Sequence, residues 1–140
     1  MNQTSQDKLS GTGCTVLLVD DDEDFLFQAS TRLRHDGYTV LEAQGQAAAE
    51  ELLPTAQFDV AVLDLMMEHM DSGFVLCHRI KRKHPKVPVL LVTGVVGETG
   101  LEFDASTAEE RRWIRADVLL AKPVRYEQLK GEIERLRALS

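Results

Sequence analysis

The chain has only two cysteines, Cys14 and Cys77, and they stand far apart. Neither belongs to a CxxC or a Cys/His ligand spacing. That excludes a disulfide-stapled scaffold and a zinc ribbon, and leaves buried, reduced thiols as the expectation. Long hydrophobic runs are missing. A bilayer span needs about 20 consecutive apolar residues, and the apolar runs here are far shorter. The opening stretch 1–12 is polar and lacks the apolar core of a secretory signal, so it reads as a disordered tail. Positive charge is in deficit: Lys and Arg number 16 against 23 Asp and Glu, a net charge of −7. Phosphate binding rests on basic charge, which argues against direct nucleic-acid or membrane contact. A soluble cytoplasmic protein is the reading that remains.

The rest is ordinary globular composition, with 44% hydrophobic and 28% charged residues in 140. At about 150 residues per domain this is one domain, placed at 13–140. Short apolar runs alternate with helical periodicity. Runs at 14–19, 58–63, 88–92 and 118–121 read as buried strands, and 38–43 as a mixed edge strand. Helices are expected at 23–36 (Leu26, Ala29 and Leu33 inward), 46–53, 72–84 (Val75, Leu76 and Ile80 inward) and 126–139 (Leu129, Ile133 and Leu136 inward). A fifth is expected at roughly 107–115, after a glycine-bearing stretch with Gly94, Gly97 and Gly100. No Gly-Lys-Ser/Thr follows those glycines, so they do not form a nucleotide phosphate loop. Arg79, Lys81, Arg82, Lys83 and Lys86 form a basic helix end, read as a solvated face that complements the helix dipole. Alternating strands and helices mean an α/β fold: a doubly wound parallel sheet with helices on both faces. Right-handed crossovers put every strand's carboxyl end on one edge, where such sheets bind ligands.

That edge collects a distinctive set. Asp20, Asp21 and Asp22 follow the first strand, Asp64 the third, Thr93 the fourth and Lys122 the last. Asp22 is also well placed to cap the helix that begins at Glu23. Two carboxylates at about 4 Å repel by about 4 kcal/mol at an effective dielectric of about 20. A hard divalent cation such as Mg²⁺ offsets that repulsion. With the Lys122 ammonium and the Thr93 hydroxyl, the set forms a cradle for a phosphoryl group, with Asp64 as nucleophile.

VLLVDDDEDF, DVAVLDLMMEHMDSGF, VPVLLVTG and LLAKPV, in this order, resemble the receiver domain of two-component response regulators. The resemblance covers nearly the whole chain after the tail. It implies a flavodoxin-like five-stranded sheet of order 2-1-3-4-5 with five flanking helices. It implies phosphorylation of Asp64 by a sensor histidine kinase or a histidine phosphotransfer protein. Asp20, Asp21, Asp64 and the Met66 backbone carbonyl would hold Mg²⁺, and Thr93 and Lys122 would contact the phosphoryl oxygens. Such a protein catalyses only its own Mg-dependent phosphorylation and dephosphorylation. It signals to a downstream protein target through a changed surface, and a phosphorylation-linked homodimer stays open. The chain departs from the family in four ways. Glu68 replaces a usual proline, with one extra residue before Gly73. Leu119 replaces the usual aromatic switch residue. The stretch between Thr93 and Lys122 is longer. No output domain follows Ser140, which suggests a stand-alone receiver. Two rivals compete. A receiver-fold docking module would act without phosphorylation. A haloacid-dehalogenase-like phosphatase would use Asp20 and Asp22, but it lacks the acidic pair required after Lys122.

Overall fold

The computed structural model describes residues 11–94 and 116–139. Residues 1–10 of the expected tail, the fifth helix at 107–115, Gly97 and Gly100 lie outside the described residues.

Five strands form one parallel sheet: β1 (Thr15–Val19), β2 (Thr39–Ala43), β3 (Val60–Asp64), β4 (Val89–Thr93) and β5 (Val118–Ala121). Their order is β2-β1-β3-β4-β5, as the resemblance implied. Four helices are described: α1 (Glu23–His35), α2 (Gln46–Leu52), α3 (Ser72–Lys83) and α4 (Tyr126–Leu139). The core has two layers because successive strand residues face opposite sides. Val16, Leu18, Val62 and Val92 pack with Leu26 and Leu33 of α1 and with Leu129 and Ile133 of α4. Leu17, Val19, Leu63 and Leu91 pack with Ala49 of α2 and with Leu76, Cys77 and Ile80 of α3. Both cysteines are free and buried.

The ends of the elements follow local chemistry. The Asp22 carboxylate accepts from the Asp24 and Phe25 amides and starts α1. Gly37, at φ 99°, turns the chain out of α1 into β2. Asp59 stands one residue ahead of β3. It donates its own amide to the Thr15 carbonyl at 2.8 Å, and its carboxylate accepts from Thr15 N at 2.8 Å. The third strand therefore begins at Val60 rather than 58, and it runs on to include Asp64.

Three expectations need correction. Gly11 and Thr12, assigned to the tail, form a turn with Gly13, and Gly11 N donates to the Asp36 carbonyl at 2.8 Å. Val75 is half-buried; Cys77 takes the inward place on α3 beside Leu76 and Ile80. At the basic end of α3, Arg79, Arg82, Lys83 and Lys86 are exposed as expected, but Lys81 is largely buried and two of the lysines are tied to neighbouring elements. Lys81 Nζ donates to the Val87 carbonyl at 2.9 Å and to Asp117 at 2.8 Å, latching α3 to the start of β5. Lys83 Nζ donates to the carbonyls of Leu53 and Pro54, which satisfies acceptors beyond the end of α2. Long flexible stems let these lysines reach acceptors on neighbouring elements.

Candidate functional site

The carboxyl edge of the sheet places Asp20 directly after β1, Asp64 at the end of β3, Thr93 at the end of β4 and Lys122 directly after β5. Asp20, Asp64 and Thr93 are buried, whereas Asp21 is exposed at the rim. Carboxylate oxygens of Asp20, Asp21 and Asp64 all lie within 4.8 Å of one another. Lys122 Nζ bridges two of them, 3.4 Å from Asp20 Oδ2 and 3.4 Å from Asp64 Oδ1. The other Asp20 oxygen accepts from Asp22 N at 2.9 Å. Lys122 N also donates to the Thr93 carbonyl at 2.8 Å, which ties the last two strand ends together. Gly94, the next residue, is exposed. The peptide bond between Lys122 and Pro123 is cis.

The electrostatics follow from burial. Loss of water, then the neighbouring Asp20 charge, pushes the Asp64 carboxyl up to about 7 despite Lys122. Burial likewise raises Asp20. Burial opposes the Lys122 charge, but Asp20 and Asp64 outweigh it and hold its pKa above the ordinary value. One ammonium therefore leaves this group of carboxylates short of positive charge. A cluster of hard oxygen donors with unmet cation demand fits Mg²⁺.

Three supports for the site were not read from the sequence. Lys122 Nζ lies 5.6 Å from the centroid of the Phe25 ring, a cation–π contact from the first turn of α1. Gly73, at the start of α3, donates its amide to the Leu65 carbonyl at 2.7 Å. A Cβ there would stand 2.6 Å from the Asp64 carbonyl oxygen and 2.7 Å from Leu65 Cα, so only glycine lets α3 approach the strand end this closely. Glu68 is the third. Its carboxylate accepts from Gln46 N and Ala47 N at the start of α2, which lowers its pKa. Its sequence signal was only its departure from the family pattern. Met66, two residues past Asp64, is 37% exposed. Leu119, in the usual aromatic position, is half-buried against the α3-side core.

The family model for the response regulator receiver domain matches residues 16–134. This chain belongs to that family. Its relatives include the regulatory protein VanR of Enterococcus faecium, 29% identical over 89% of this chain and 52% of VanR. The heme response regulator HssR of Staphylococcus aureus is 32% identical over 88% of this chain and 50% of HssR. The receiver therefore spans about half the length of these two curated relatives. Among solved structures, the chemotaxis response regulator CheY4 of Vibrio cholerae is 27% identical, with a TM-score of 0.74, over 89% of this chain and 99% of CheY4. The receiver fold and its place in two-component signalling are thereby fixed. Among the described residues, no helix is long and apolar enough to cross a membrane.

Proposed function

We propose that this receiver accepts a phosphoryl group on Asp64 from a histidine kinase or a histidine phosphotransfer protein. The observation that carries the reading is the Asp64–Lys122–Asp20 bridge within the acidic cluster, both of its carboxylates buried. An Asp64 oxygen attacks phosphorus as the donor nitrogen leaves, and the product is an acyl phosphate. Asp20, Asp21, Asp64 and the Met66 carbonyl would hold Mg²⁺. Bound there, the ion supplies positive charge to the phosphoryl oxygens. Lys122 gives a second, fixed positive charge, and the Thr93 hydroxyl donates to a phosphoryl oxygen. With its carboxyl pushed up to about 7, metal-free Asp64 holds its proton far more tightly than an ordinary carboxyl. Cation binding favours its ionised, nucleophilic form, which is why phosphorylation should require the ion.

The protein transforms no external substrate on this reading and catalyses only its own phosphorylation and dephosphorylation. Its output is a changed surface read by a partner protein. Phosphate uptake from a small acyl-phosphate donor, with and without Mg²⁺, tests this. Uptake only with the ion, released by hydroxylamine as an acyl phosphate should be, supports it. No uptake under either condition refutes it and favours a docking module that acts without phosphorylation.

A further inference from the structure

We propose that Glu68 is a positioning residue for the acidic site, tying the loop after Asp64 to the turn between β2 and α2. The proposal rests on the reading of that site as a cation-dependent phosphoacceptor.

The loop after β3 has its own internal bonds. Gly73 N donates to the Leu65 carbonyl, Met67 N to the His69 carbonyl at 3.1 Å, and His69 N to Ser72 Oγ at 3.0 Å. These shape the loop from within. Glu68 reaches outward instead. Its carboxylate accepts from Gln46 N at 2.7 Å and from Ala47 N at 3.1 Å. Both amides open α2, whose N-cap residue, Gly45, has no side chain to serve them. The turn is shaped around this contact. Gly45 holds φ +117°, and a Cβ there would come within 2.9 Å of Glu68 Oε2.

The same turn is joined to the other carboxylate-bearing loop. Asp20 N donates to the Ala43 carbonyl at 3.2 Å, and Gln44 Nε2 donates to Glu23 Oε2 at 3.2 Å. Glu68 thus closes a ring that runs from Asp20 through the end of β2 to the loop leaving Asp64. Side chains that orient metal ligands from outside typically change affinity by about 10–100-fold. Glu68 acts through one more link, so about tenfold is expected, the lower end of that range.

The test uses the full chain as wild type, Glu68→Ala and Glu68→Gln. Amide hydrogen exchange at Gln46 and Ala47 is read without metal, and Mg²⁺ affinity is read by titration. Glu68→Ala should lose protection at both amides and weaken Mg²⁺ binding about tenfold. Glu68→Gln keeps one of the two accepting oxygens and no charge, so it should restore protection at one of the two amides and part of the Mg²⁺ affinity. Mg²⁺ affinity as weak in Glu68→Gln as in Glu68→Ala, with protection kept at one amide, would make the effect one of charge and overturn the positioning role. Unchanged affinity in Glu68→Ala, or unchanged protection, would overturn it too. Wild-type protein that binds no Mg²⁺ would overturn the phosphoacceptor reading and this role with it. Lost protection in Glu68→Ala would still separate that result from a missing contact.

Discussion

Replacing Asp64 with asparagine should stabilise the metal-free protein at alkaline pH, although it removes the proposed phosphoacceptor. The folded Asp64 carboxyl titrates at about 7 against an ordinary value of 3.8. Each pKa unit corresponds to about 1.36 kcal/mol, so the ionised group costs the native state at most about 4 kcal/mol. The sign follows from proton linkage. Between pH 4 and 7 the folded state holds the proton that the unfolded state has released. Stability therefore falls as pH rises through this window and levels off above about 7. The asparagine variant escapes the penalty, because its amide carries no charge to bury. The gain in Tm at pH 8 should be on the order of 10 °C for a chain of this size. It should shrink to nothing toward pH 4. Thermal unfolding followed by circular dichroism in a chelator, across that pH range, reads both. Saturating Mg²⁺ should narrow the gap, since it binds the native wild type and stabilises it by mass action. An Asp64→Asn protein no more stable at pH 8, or a gain independent of pH, would refute the reasoning.

Three further outcomes follow from the site. Lys122→Ala should keep the fold and should not weaken Mg²⁺ binding, because a like charge leaves the bridge to Asp20 and Asp64; metal titration checks this, and a large loss of affinity would contradict it. The same variant should take up phosphate poorly, its phosphoryl group having lost a fixed cation. Met66, two residues past Asp64, is apolar and exposed, and cannot orient an attacking water by a strong hydrogen bond. Self-dephosphorylation should therefore be slow, and Met66→Asn should speed the decay of labelled protein; an unchanged or slower decay would count against this.

Much of the fold was legible because strands buried on both faces leave continuous apolar runs, as at 14–19 and 88–92. The placement of the candidate site residues was legible because parallel topology carries every strand end to one edge, so Asp20, Asp64, Thr93 and Lys122 needed only correct strand boundaries to be brought to it. Contacts between loops were not. Nothing in the local sequence around Glu68 says that it serves α2, some twenty residues upstream. Gly73 looks like any glycine near a helix start until the Asp64 carbonyl is seen against it. Lys81 and Lys83 read as surface charges because periodicity records which face a residue is on and not how far its stem reaches.

The central claim is that Asp64 receives the phosphoryl group. Intact-mass analysis of wild type and Asp64→Asn, each treated with a small acyl-phosphate donor and Mg²⁺, tests it most directly. The wild type should gain the mass of one phosphoryl group, and Asp64→Asn should gain none. Equal labelling of the two proteins would contradict the account.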